Sequence, residues 1–181
     1  MATPTQLTRN RRIETMTCGP RTGQAFVLFA AGLIVIAAAC VFTIDVGLIY
    51  FSRARLQNAA DAGALAAAHK LIELRNTGEA EEEARYAASQ EAQDMVAANW
   101  DEAGWQVTFG GYSGGQFVEH GDETPATAVQ VVTARDEGSP GGALGLFFGP
   151  VLGFDAVDIS TTGECKVSAG IRLIRGTGNL L

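Results

Sequence analysis

Hydrophobic positions change their spacing along this chain, and each change predicts a different element. Ala25 to Ile44 is an unbroken apolar run with no charged residue and Thr43 as its only hydroxyl. Helical residues rise 1.5 Å each, so ~20 of them cover the ~30 Å hydrocarbon core of a bilayer. The run is apolar on every side, as a lipid-facing helix is. Beyond it, Leu48, Phe51, Leu56, Ala59, Ala60, Gly63, Ala67, Leu71 and Leu74 recur at mostly three- and four-residue steps. This stripe predicts a helical continuation whose small residues suit close approach by another helix. Asn76-Thr77-Gly78 reads as its stop. Glu79 to Trp100 predicts a second helix with a thin face of Ala80, Ala84, Ala87 or Ala88, Glu91, Met95 and Ala98.

After Gly104 the period falls to two. Trp105, Val107 and Phe109 alternate with Gln106, Thr108 and Gly110, the pattern of a half-buried strand. "GGYSGG" is a turn, and "QFVEHGDETP" is a short strand followed by a polar loop. "ATAVQVVTAR" is a strand with Val129 and Val131 on one face and Val132 on the other. "ALGLFFGPVLGF" is ambiguous between a short helix and a buried loop. "DAVDISTTGECKVSAGIRLI" predicts a final strand or hairpin carrying Val157, Ile159, Val167, Ile171 and Ile174. The expected fold is α+β. Its segments are an arm at 1–24, a transmembrane helix at 25–44, a helical region at 45–103, a small antiparallel β domain at 104–174 and a tail at 175–181.

Charge gives the apolar run a direction. The arm carries Arg9, Arg11, Arg12, Glu14 and Arg21 and is net +3, while the whole chain is −7, which leaves −10 from Asp45 onward. The positive-inside rule then puts the arm in the cytoplasm and the bulk outside the inner membrane, mildly opposed by Arg53 and Arg55. An acidic body argues against nucleic acid as a partner. The expected partners are the lipid bilayer and other membrane proteins meeting helix to helix, and no small-molecule substrate is inferred. A cleaved signal peptide is the rival reading, because Ala37-Ala38-Ala39 precede Cys40 much as in a lipoprotein site. Val41 to Ile44 and Val46 to Phe51 stay apolar after that cysteine, which favours a retained anchor.

Little in the chain points to chemistry. Cys18, Cys40 and Cys165 fall in separate segments and no intrachain disulfide is expected. His69 has no second ligand three or four residues away and is expected to be an ordinary helix residue. His120 lies near Glu119, Asp122 and Glu123, but without the alternating acids of a calcium loop this is a plain acidic turn. Glu79, Glu81, Glu82 and Glu83 suit the positive end of a helix better than a cation site. "GYSGGQ" lacks the helix and partners of a nucleophile elbow, and "GGALGLFFG" lacks the lysine and hydroxyl of a phosphate loop. Asp158, Ser160 and Thr162 in "DISTT" have the form of a metal-dependent adhesion site, yet too little chain follows for a von Willebrand A domain, so they read as alternating strand positions. No catalytic, cofactor or metal residues are therefore expected.

The flanks of the apolar run carry a family resemblance. Arg21, Gly23 and Gln24 before it, Asp45, Gly47 and Tyr50 at its exit, and Arg55, Leu56, Gln57, Ala60 and Asp61 in "RLQNAADA" resemble the N-terminal signature of Flp pilus-assembly TadE/TadG-like proteins. The resemblance covers Arg21 to about Ala68, with a looser match in "FFGPVLGF…VDISTTGECKVSA". It implies a bacterial envelope protein with one N-terminal span, serving tight-adherence pilus assembly or a related secretion system and not an enzyme. Two features depart from the family's other branches. No glutamate follows Gly23, where peptidase-processed members carry one, and the chain is too short for the von Willebrand A domain of larger members. The alternatives are a minor pseudopilin cleaved after Gly23 and an exported, lipoprotein-like binding module. Asp45 either marks the membrane exit or pairs with a basic residue of a neighbouring subunit.

Overall fold

The computed structural model of the chain describes residues 22–121, 124–167 and 172–175. The basic arm through Arg21, with Cys18, therefore lies outside the described residues, as do Asp122, Glu123, Ile171 and the tail beyond Arg175. The chain divides after Cys40 into two compact units.

One helix, α1, runs Thr22–Thr77 without a proline to interrupt it. It ends where Gly78 adopts φ +87°, the left-handed conformation that glycine enters at no steric cost. Helix α2 follows at Glu81–Asn99, with Glu81, Glu82 and Glu83 in its first turn as the helix dipole favours. The alternating segments then form β1 (Gly104–Ser113), β2 (Gln116–Glu119), β3 (Ala128–Arg135), β4 (Leu144–Gly145), β5 (Ala156–Val157), β6 (Ile159–Lys166) and β7 (Arg172–Arg175). Five of these make an antiparallel sheet in the order β2-β1-β3-β6-β7, while β4 and β5 pair separately. The α+β expectation holds, and in the closing segment β7 pairs antiparallel with β6.

The helical region and the sheet share one core. Along β3, Val129, Val131, Thr133 and Arg135 are buried, and along β6 so are Ile159, Thr161, Gly163 and Cys165. These residues pair across the ladder as Val129 with Cys165, Val131 with Gly163 and Thr133 with Thr161, giving a continuous inner face. Leu56, Ala59, Ala60, Ala64, Ala67, Ala68 and Leu71 of α1 lie against it, all fully buried. Contact is close enough to need a glycine. A Cβ on Gly163 would sit 2.5 Å from the carbonyl carbon of Ala60. A Cβ on Gly63 would meet Val96 of α2 at 2.9 Å.

Two expectations are corrected by this packing. The small residues of the α1 stripe do admit another helix, since α2 reaches Gly63 through Val96 and Ala92, and the sheet also reaches the stripe at Ala60. Phe51 is 67% exposed while Ser52 is buried, since the row that meets the sheet advances by four from Ser52 to Leu56 and Ala60. On α2 the buried residues are Ala84, Arg85, Ala88, Ala92 and Val96, and Glu91 and Ala98 face solvent. The i±4 ridge of α2 seats Val96 against Gly63, which selects this line over the expected one.

Candidate functional site

Two groups of signature residues make contacts where α1 leaves its apolar run and meets the sheet. Asp45 is only 9% exposed, and its carboxylate is held by the chain itself. The backbone N–H of Phe147 donates to Oδ1 at 3.0 Å, and that of Phe148 donates to Oδ1 at 3.3 Å and to Oδ2 at 3.1 Å. The loop between β4 and β5 is thereby fastened to the helix. The residue expected to mark the exit or to pair with a neighbour's base thus accepts from two backbone N–H groups of its own chain. Gly47 and Tyr50 lie on the exposed side of this turn of helix.

Further along α1, "RLQNAADA" docks on the strands. The Leu56 carbonyl accepts the Thr133 hydroxyl at 3.1 Å, and Thr133 and Thr161 share a hydrogen bond of 3.0 Å. Gln57 donates through Nε2 to the Thr162 carbonyl at 3.0 Å and to Asp61 Oδ1 at 2.8 Å. Ala60 lies over Gly163. Arg55 stacks over Trp100 at 4.7 Å and donates to the Asn99 carbonyl. Of the remaining signature residues, Gly23 and Gln24 are exposed on α1, and Arg21 lies outside the described residues. The structure therefore brings Leu56, Gln57, Ala60 and Asp61 together as a joint, and gives Asp45 a separate loop contact.

Three arginines in two networks that sequence reasoning missed complete the joint. Arg75 ion-pairs with Glu81, whose carboxylate also accepts Arg85 Nε at 3.1 Å and the Ala126 N–H at 3.1 Å. Burial raises the Glu81 pKa, but these donors outweigh it and hold it at about 2. Buried Arg85 also donates to the carbonyls of His120, Gly121 and Thr124, which ties down the polar loop. Arg135, equally buried, reaches Glu102 at 2.6 Å and the Gly141 and Gly142 carbonyls, and packs over Trp100 at 5.1 Å. The Trp100 indole N–H and Arg135 lower the Glu102 pKa. The four-residue spacing of Glu81 and Arg85 was the available signal.

The candidate chemistry disperses. Ser113 ends β1, and Gly114 and Gly115 at φ +60° and +85° turn the chain into β2, so "GYSGG" is a strand-to-strand hairpin and not a strand-to-helix elbow. Ser160 and Thr162 alternate with buried Ile159 and Thr161 on β6, as strand positions do. His69 is exposed beside a shallow groove shared with Lys70, Glu73, Glu91 and Met95. The His120 ring packs on Gly111, and its Nδ1 is buried without a hydrogen-bond partner among the described residues. Among the described residues, no group of three His, Cys, Asp or Glu side chains is placed to hold a metal. Cys40 is exposed and Cys165 buried, both as free thiols, and burial pushes the Cys165 thiol up to about 11. Burial also raises the Tyr112 pKa. That hydroxyl hydrogen-bonds Glu164, to which Gln130 donates from β3 at 2.7 Å.

Two family profiles match the chain. The Flp pilus-assembly TadE/G-like profile covers residues 23–70, and the Tad-like Flp pilus-assembly profile covers residues 50–164. No curated protein and no solved structure matches it. The first profile spans the apolar run and the docking block, and the second spans the whole joint from Tyr50 into the β6 strand.

Proposed function

The chain belongs to the Tad-like Flp pilus-assembly family, and from that premise we propose that it is a non-enzymatic, single-span component of the bacterial envelope. It holds its arm in the cytoplasm and presents the helix-and-sheet unit outside the inner membrane. There it acts as a structural or accessory part of a Flp-type pilus-assembly or related secretion system. One observation carries the reading. Among the described residues α1 is the one helix long and apolar enough to cross a membrane, and none of its most apolar stretch is buried by the protein. A soluble core helix would be covered. Further support comes from the polar side chains of the outer unit: Glu81, Arg85 and Arg135 are consumed in holding loops and helices together. The partners are the bilayer and other assembly proteins.

Topology and processing test this directly. Protease added outside spheroplasts should degrade the helix-and-sheet unit and spare the arm, and carbonate should not extract the intact chain. Intact mass of the membrane-purified protein discriminates the rest. A start at Met1 fits the retained anchor, a start at Gln24 a processed pseudopilin, and a lipidated Cys40 start an exported lipoprotein.

A further inference from the structure

The loop that Asp45 captures has an unusual surface. From Gly138 to Phe154 the chain contains no ionisable residue. Within it Phe147 is 77% exposed, Val151 82%, Leu152 71% and Phe154 67%. These are the large apolar side chains that a soluble surface ordinarily hides when they cluster. Their backbone, by contrast, is hydrogen-bonded within the loop. The Leu146 N–H donates to the Asp155 carbonyl at 3.0 Å, that of Phe154 to Gly149 at 3.0 Å, and that of Val151 to Phe148 at 3.0 Å. Gly149 has no room for a Cβ, which would lie 2.2 Å from the Phe154 carbonyl oxygen, and Gly153 turns at φ +87°. The tip thus satisfies polar groups internally and turns its apolar side chains outward.

Its level along the chain identifies the occupant. Asp45 is the first charged residue after the uncharged run, and its carboxylate holds the loop at Phe147 and Phe148. The loop is therefore tied to the turn of α1 where the apolar segment ends, one residue past exposed Ile44 and three past exposed Phe42. Aromatic and aliphatic side chains without charge are favoured at the membrane–water boundary, where an amphipathic tip buries its apolar part among acyl chains. We propose that Leu146–Phe154 is a second membrane contact, a wedge that inserts into the boundary of the outer leaflet and is aimed by Asp45. The contact makes the helix exit a two-point attachment to lipid. The inference rests on the reading of α1 as a membrane span.

The test uses the full chain reconstituted in phosphatidylcholine vesicles, with lipids brominated on the acyl chains as quenchers. Three variants are compared with the parent, whose tryptophans are Trp100 and Trp105 and whose emission is subtracted: Leu33→Trp, Val151→Trp, and Val151→Trp combined with Asp45→Ala. Emission from the indole introduced at position 33 should be blue-shifted and largely quenched. Emission from the indole introduced at position 151 should also be blue-shifted and lose most of its intensity, and the Asp45→Ala background should return much of it. Quenching at position 33 with none at position 151 overturns the wedge and leaves the span intact. No quenching at position 33 overturns the span reading itself. Full quenching at position 151 that persists in the Asp45→Ala background overturns the aiming role of Asp45. A blue shift at position 151 that brominated lipid does not quench, and that grows with protein density in the vesicle, assigns the tip to a second copy and also overturns the wedge.

Discussion

Two stretches of one helix, α1, meet opposite fates. Phe26 to Ile36 exposes every large apolar side chain it has, whereas Leu56 to Leu71 buries two leucines and a row of alanines completely. The difference is not hydrophobicity alone, since the exposed stretch is the more apolar one. It lies in size and sidedness. The second stretch carries alanines and Gly63 on one face and Asn58, Asp61, His69 and Lys70 around the rest, so it can bury only one side. Its small residues let β6 and α2 approach to the backbone. The first stretch has bulky residues all round, so no single protein face can cover it, and a lipid solvent can.

Cavity formation should separate the two most sharply. Leu56→Ala should cost about 2–5 kcal/mol, read as a lowered urea midpoint of the full chain in detergent with Trp100 fluorescence as the reporter. Leu33→Ala should leave that midpoint within about 0.5 kcal/mol. Equal losses would mean that the two stretches stabilise the same unit. A glycine pair sharpens the point, because one substitution should act with opposite signs. Gly163→Ala forces a Cβ against the Ala60 backbone, and should cost about 1–3 kcal/mol. Gly47→Ala meets nothing within 4 Å on a helix interior, and should gain up to about 1 kcal/mol. A neutral Gly163→Ala would show that helix and sheet are not in backbone contact.

The smallest expected effect concerns the ion pair that closes the far end of the joint. Glu81 holds a pKa of about 2 against an ordinary 4.5. Between those values the unfolded chain binds more protons, so the contribution of Glu81 is full above the ordinary value and is lost as pH falls toward 2. Glu81→Gln should flatten the acid side of the stability curve and lower the plateau at neutral pH. Superimposable acid limbs for the two proteins would remove Glu81 from the account.

Much of this architecture is legible in one dimension. Twenty uncharged, apolar residues predict a membrane segment, and the strand "ATAVQVVTAR" announces its buried Val129 and Val131 by simple alternation. The stop at Gly78 needs no partner, because a left-handed residue ends a helix wherever it stands. The buried face of α2 is not legible, because alanine, being neither bulky nor polar, signals no side. Only Val96 meeting Gly63 distinguishes the 84-88-92-96 row from its neighbours. Nor can Arg85 and Arg135 be recognised as buried, since their charges are stabilised by carbonyls of residues 120, 121, 124, 141 and 142 that the fold brings to them.

By itself, the sequence determined what local rules govern: where the backbone turns helical, where it alternates, where it stops, and which segment prefers lipid. Tertiary structure alone decided what each face meets. It brought the chain's own sheet and α2 onto the small-residue stripe, and it made Asp45, at the end of the apolar run, the anchor of the Phe147–Phe148 loop. Helical and strand periods follow from dihedral angles and side-chain size within a few residues. A carboxylate finding two N–H groups 102 and 103 residues away depends on the path of everything between them.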